Sequence, residues 1–60
     1  MYNICVYNTE TKQYVYLDYI DTPLRERALE DWRRDNPKRS EILNKSDKLK
    51  LVAFLEGGGI

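Results

Sequence analysis

Histidine is absent from this chain of 60 residues, and cysteine and tryptophan each occur once, as Cys5 and Trp32. Without histidine, no Ser-His or Cys-His nucleophile pair can form, and the usual zinc ligand sets are excluded. A single cysteine cannot form an internal disulfide, and no neighbour in sequence would lower the pKa of its thiol. We therefore expect Cys5 to be a small hydrophobic residue within a strand, and we expect no metal site.

Glycine is also scarce, and the three glycines are residues 57–59. No Gly-rich phosphate loop can therefore precede a helix, and no cofactor motif is present. Ser40 and Ser46 lie in a polar connector with lysines nearby, and the paired carboxylates lie among other charges that solvent can reach. The sequence predicts neither a cofactor nor catalytic residues, and we expect that the protein is not an enzyme.

Long apolar runs are missing as well: none approaches the roughly 20 residues that cross a membrane, and the N-terminus lacks the basic-then-apolar pattern of a secretory signal. We expect a cytoplasmic protein with no membrane partner. Residues 1–56 should form a single domain, followed by a flexible Gly-rich tail at 57–60. Sixty residues is close to the lower limit at which one core is sufficient without oligomerisation.

Positive and negative charges balance, with ten Lys and Arg against ten Asp and Glu, so no overall field attracts nucleic acid or an anionic membrane. The distribution is uneven, however. Residues 1–22 have one basic and three acidic side chains, which gives −2, whereas residues 37–50 have five basic and two acidic ones, which gives +3. Opposite charge in two segments can bring two copies together head to tail, or can fit a partner of mixed charge.

What the chain does contain is a stretch with the composition of a strand, Tyr14 to Ile20. Its aromatic and aliphatic side chains would lie on both faces of that strand. A half-buried strand alternates apolar with polar residues, so this stretch indicates cover on both faces of a sheet. Residues 2–7 are also β-prone, and the polar residues 8–13 between the two runs predict a hairpin loop. Symmetric closure pairs Val6 with Val15, Ile4 with Leu17 and Tyr2 with Tyr19 on one face, and Tyr7 with Tyr14, Cys5 with Tyr16 and Asn3 with Asp18 on the other.

A helix should follow the hairpin. Asp21-Thr22-Pro23 is typical of a helix start, with a capping side chain and then proline at the first helical position, and Asn36 before Pro37 should end the helix. An apolar stripe at helical spacing would face the sheet, across Ile4, Val6, Val15 and Leu17, with the tryptophan as its largest side chain. The stripe consists of Leu24, Ala28, Leu29 and Trp32.

The last clear strand covers residues 48–56, while residues 39–44 fit either a short strand or a turn of helix. Alternation in the last strand directs four residues towards the helix, namely Leu49, Leu51, Ala53 and Leu55. The fold class predicted is α+β: a β-hairpin, one amphipathic helix and one or two further strands (ββαβ or ββαββ), in an antiparallel-rich sheet with the helix on one face.

If the last strand pairs with the first or second, apolar side chains beside Cys5 converge on the sheet face away from the helix. Tyrosine-rich patches are common at protein interfaces, and small monomers rarely expose them without use. We therefore predict a small non-enzymatic protein-binding module, with a second copy as the simplest partner and hence a homodimer. The predicted interface residues are Tyr7, Tyr14, Tyr16, Val52 and Phe54.

Two alternatives remain open at this stage. The same aromatic side chains could stack single-stranded nucleic acid, with Arg39, Lys48 and Lys50 contacting the phosphates. The balanced charge and the lack of a Lys/Arg-Gly-Phe type motif count against nucleic acid. The charged surface of the helix, rather than the tyrosines, could also be the side that binds protein.

In size and composition, this short α+β chain without histidine or a catalytic set resembles the small inhibitor proteins of bacteriophages and mobile elements, such as anti-CRISPR and other anti-defence proteins. The resemblance implies a protein that occupies the surface of a host protein. It extends to size and composition and to no motif, so no residue acquires a role from it.

Overall fold

A computed structural model describes residues 1–56, and the predicted tail at 57–60 lies outside these described residues. The elements in chain order are strand β1 (Tyr2–Asn8), strand β2 (Gln13–Ile20), helix α1 (Arg25–Asp35), helix α2 (Pro37–Lys45) and strand β3 (Leu49–Leu55). The α+β class is confirmed. The chain order is ββααβ, so residues 39–44 belong to a second helix rather than to a fourth strand, and the expectation of one helix was wrong.

The second helix begins where the first one ends. Asn36 is the C-cap of α1, and its backbone N–H donates to the Trp32 carbonyl. Pro37 then occupies the first turn of α2, where its missing N–H has no partner to lose. The Asn-Pro pair therefore ends one helix, as predicted, and also starts the next.

The three strands form one antiparallel sheet in the order β2-β1-β3, with β1 in the centre. Helix α1 packs against all three strands, whereas α2 packs against α1 and β3. The core between helices and sheet consists of Ile4, Ala28, Trp32 and Ala53. Trp32 is 1% exposed, and small Ala53 lies in the same cluster, which confirms the predicted placement of the tryptophan between helix and sheet.

The hairpin register is half as predicted. Tyr7 pairs with Tyr14, Val6 with Val15, and Cys5 with Tyr16. A β-bulge then changes the register, so the pairs predicted beyond that point are wrong. In their place, the structure pairs Ile4 with Asp18, Asn3 with Tyr19 and Tyr2 with Ile20.

Leu17 is the extra residue of this bulge, because it has no direct partner on β1. An extra residue inverts the alternation that follows it. Ile20 consequently lies on the helix side, where it packs against the core together with Leu17. Tyr19, predicted to face the helix, pairs with Asn3 and so belongs to the opposite face.

The start of α1 also differs from the prediction. Leu24 is its N-cap, with no side-chain capping hydrogen bond, so Pro23 precedes the helix and neither Asp21 nor Thr22 caps it. Thr22 is buried instead, and its carbonyl accepts a hydrogen bond from the Met1 amino group. Because Leu24 remains in an extended conformation before the first turn, its side chain lies off the apolar stripe and is exposed.

Two strand residues predicted for the core are exposed instead. Val15 is 58% exposed and Leu55 is 44% exposed. Val15 is near the hairpin end of β2, and α2 does not contact that strand. Within residues 1–56, neither helix is long and apolar enough to cross a membrane.

Candidate protein-interaction face

The face of the sheet opposite the helices gathers the five predicted interface residues and Tyr19; we call this surface the tyrosine face. Cys5 in the central strand pairs with Tyr16 on one side and with Val52 on the other. Tyr7 pairs with Tyr14, and Phe54 pairs with Asn3. Directly paired residues share a face of a sheet, so the pairing of β3 with β1 produces the predicted convergence. The tyrosine face consists of Tyr7, Tyr14, Tyr16, Tyr19, Val52 and Phe54.

Three of the rings contact one another across the sheet. The centroids of Tyr7 and Tyr14 are 4.7 Å apart with planes inclined at 43°. Tyr14 also meets Phe54 edge to face, with centroids 5.2 Å apart. Tyr14 belongs to β2 and Phe54 to β3, so this second contact passes over the central strand. Pairs of this geometry contribute about 0.5–1.5 kcal/mol beyond the area they bury.

The bridging rings explain why Cys5 is buried on a face that neither α1 nor α2 covers. Its side of the sheet is the tyrosine face, yet it is only 8% exposed. The Tyr14–Phe54 contact spans the strand in which Cys5 lies. Burial raises the pKa of the Cys5 thiol above its usual value, which disfavours the thiolate. Cys5 is thus the small buried residue that the sequence predicted.

The remaining exposure is concentrated on β2. Tyr16 is 60% exposed and Tyr14 is 55% exposed, compared with 39% for Phe54 on β3. Tyr7 on the central strand and Val52 on β3 are half-buried. The tyrosine face is therefore covered in part by its own rings, and it is most open along one margin of the sheet.

Tyr19 is a member of this face that sequence reasoning missed. Hydrogen bonding to the Glu56 carboxylate is the main cause that raises the pKa of the Tyr19 hydroxyl, with smaller contributions from desolvation and from the charges of Glu56 and Asp21. The only signal in the sequence was the adjacent pair Tyr19-Ile20 at the end of a strand. One of the two must face the core, and the pattern alone does not show which.

The three basic residues predicted for nucleic-acid binding are dispersed. Lys50 pairs with Tyr7 and so accompanies the tyrosine face. The Lys48 Nζ lies 2.7 Å from the Glu10 Oε2 in the hairpin loop. Arg39 is on α2, on the other side of the sheet, where it lines an apolar cavity with Val6. The structure therefore does not bring the three cations together around the aromatic rings.

That apolar cavity is a second feature beside β2. It has a volume of about 160 Å³ and opens between α2 and the hairpin on the helix side of the sheet. Ile42 in its wall is 64% exposed, and Val15 nearby on the same side is 58% exposed. The residues that line it are Val6, Leu17, Trp32, Arg39, Ile42 and Leu43.

No family model matches this chain, and neither curated proteins nor solved structures give a significant match. Its function must therefore be argued from its own surface. Among residues 1–56, no group of three or more Cys, Asp or Glu side chains is placed to hold a metal ion. What the tyrosine face offers chemically is aromatic area together with phenol hydroxyls, which are groups for contact with another molecule.

Proposed function

We propose that this chain is a non-enzymatic protein-binding module that associates with a second copy of itself and uses the tyrosine face for protein contact. The observation that carries the proposal is the ring cluster of Tyr7, Tyr14 and Phe54, which continues into highly exposed Tyr16 on a face that neither helix covers. Tyrosine gives large contact area at a small loss of conformational entropy, and its hydroxyl tolerates water.

A second copy is the first partner to consider because a chain of this size gains most from extra burial. Small domains bury a low fraction of their surface, and association supplies apolar contact that one core cannot. A use against a host protein, as in the phage and mobile-element inhibitors that the chain resembles in size and composition, would place that protein on the same face and block its surface by occlusion.

The nucleic-acid alternative has weaker support from the same geometry. Binding of single strands requires cations along the path of the backbone beside the stacking rings. Lys50 is beside the rings, but Lys48 is paired with Glu10 and Arg39 lies on the other side of the sheet. The ring cluster is therefore better suited to an uncharged protein surface than to a phosphate chain.

The test is the mass of the protein in solution, measured by sedimentation equilibrium over a range of concentrations. We expect a dimer for the wild type and a monomer for Tyr16→Asp, which places a charge in the most exposed part of the face. Leu24→Asp is the matched control, because it replaces another highly exposed apolar side chain at the N-terminus of α1. A monomeric wild type, with Tyr16→Asp still folded by circular dichroism, would remove the homodimer from the proposal.

A further inference from the structure

Strand β2 is exposed on both of its faces, and this decides how a second copy can dock. Tyr14 and Tyr16 lie on the tyrosine face, whereas Val15 lies on the helix side, and all three are more than half exposed. A partner stacked flat on the tyrosine face would leave Val15 in water. Only a partner that approaches the edge of the sheet covers both sides of β2.

The outer edge of β2 is suited to such a partner. Within residues 1–56, β2 pairs with β1 on one side and with no strand on the other. Its eight residues include one charge, Asp18, and neither proline nor lysine. Exposed edges are normally protected by charge, proline, short length or a bulge, and the bulge and Asp18 protect only the second half of β2. The outer edge at Gln13–Tyr16 has none of these devices and is a template for another strand.

The sequence of β2 is complementary to itself in one antiparallel register. If Val15 lies opposite Val15 of a second copy, Tyr14 lies opposite Tyr16, and these pairs stay within the regular part of β2 that precedes its bulge. A two-fold axis repeats each of these contacts, as a closed dimer requires. Aromatic pairs on one side of the sheet and a valine pair on the other are both favourable cross-strand neighbours.

We infer that two copies of this chain pair antiparallel through their β2 strands, centred on Val15, to form one six-stranded sheet. The inference rests on the proposed homodimer and specifies its geometry. In this arrangement, the two valines lie beside the apolar cavity of each copy, and the tyrosine faces join into one surface that stays open to a further protein. A register centred on Tyr16 would place Tyr14 opposite Asp18 at the bulge, and one centred on Tyr14 would place Tyr16 opposite Lys12 in the hairpin loop.

A cross-linking experiment tests this register on the whole chain. In a Cys5→Ala background, where the introduced thiol is the only one, Val15→Cys should form a disulfide-linked dimer on mild oxidation, because a residue on the two-fold axis lies opposite itself. Tyr14→Cys and Tyr16→Cys lie opposite each other rather than opposite themselves, so each alone should cross-link several-fold more slowly.

A second pair of variants separates edge pairing from stacking of faces. Val15→Lys places two lysines opposite each other and should weaken the dimer by roughly tenfold or more. Val52→Lys makes the same change on the tyrosine face of β3, outside the contact between the Tyr14 and Phe54 rings, and should leave the dimer within about threefold of the wild type. Hydrogen exchange should show β2 amides that become protected with rising protein concentration, while β3 amides do not change.

The possible outcomes are distinct. A dimer that survives Val15→Lys but is lost in Val52→Lys, with no concentration-dependent protection in β2, would overturn the edge geometry and leave the proposed homodimer intact. Cross-linking that is as fast for Tyr14→Cys or Tyr16→Cys as for Val15→Cys would overturn the Val15-centred register. A wild type that is monomeric at every concentration would instead remove the proposed homodimer itself.

Discussion

The two outer strands of the sheet have the same partner but very different surroundings. Both β2 and β3 pair antiparallel with β1. Helix α1 packs against both, but α2 follows it along the chain and packs against β3, not β2. Leu49 and Leu51 at the beginning of β3 are therefore half-buried near Leu43 of α2, while four consecutive residues of β2, Gln13–Tyr16, are exposed.

This difference shows how the order of elements determines which edge of a small sheet is left open. The hairpin loop of β1 and β2 is connected to β3 by the Lys48–Glu10 ion pair and by the Thr9 N–H, which donates to the Lys48 carbonyl. Lysines at positions 48 and 50 also place charge at the beginning of β3. Residues Gln13–Tyr16 of β2 have neither cover from α2 nor such charges, so the surface available for association lies on that side.

The largest expected effect comes from truncating Trp32, the large side chain of α1 that packs against β1 and β3 in the core. Trp32→Ala should lower the free energy of unfolding by about 3–5 kcal/mol, because Trp32 is fully buried against Ile4 and Ala53. A domain of this length has roughly 3–9 kcal/mol in total, so most molecules should unfold near physiological temperature. Chemical denaturation followed by circular dichroism measures the change.

Leu24→Ala is the control for the tryptophan variant, because Leu24 flanks the same helix and is 59% exposed. Its effect should remain within about 0.5 kcal/mol. A Trp32→Ala protein that unfolds cooperatively with a loss of less than about 1 kcal/mol would show that the core is not organised around this side chain.

A smaller effect should distinguish the outer strands directly. Ala53→Leu adds three carbons to a packed site on β3 and should reduce stability by about 1–3 kcal/mol. Val15→Leu adds one carbon at an exposed site on β2 and should change stability by less than about 0.5 kcal/mol. Both are measured by denaturation at a concentration low enough to keep the protein monomeric. Equal losses for the two variants would mean that β2 is as well covered as β3.

Much of the fold could be predicted from the sequence, because alternation, helical spacing and proline position act locally. These patterns correctly placed the hairpin, the tryptophan in the core and the end of the first helix at Asn36. They failed at Leu17, since a bulge depends on how the strand fits against the core and leaves no strong local signal. Residues 39–44 stayed ambiguous between a strand and a turn of helix, because Pro37 was treated only as the end of a helix and not also as the start of one.

The candidate site was predicted in part. The five interface residues share one face, since alternation and one correct strand pairing are sufficient to place them. Tyr19 was placed on the wrong face because the bulge inverts the alternation before it. Arg39 was separated from the rings because it belongs to a helix rather than to the sheet. The exposure of Val15 depends on how far α2 extends, which no local pattern records.

The smallest expected effect concerns Cys5 and the Tyr14 and Phe54 rings that pass over its strand on the tyrosine face. If the Tyr14 and Phe54 rings shield Cys5, Phe54→Ala should let water reach the thiol and return its raised pKa towards the usual value. More thiolate is then present at pH 8, and the thiolate is the reacting form, so modification by a disulfide reagent should become several-fold faster. The rate is measured by absorbance under native conditions.

Val15→Ala provides the comparison for this rate, because Val15 is on the opposite side of the sheet and should leave Cys5 as protected as in the wild type. The variant also controls for general loosening, since local opening of the domain would raise the rate in both proteins. Equal rates for Phe54→Ala and wild type would show that the rings do not cover the thiol. The burial of Cys5 would then have to come from the central strand alone. The contrast between the β3 side of the tyrosine face, covered by its own rings, and the open β2 side would be lost.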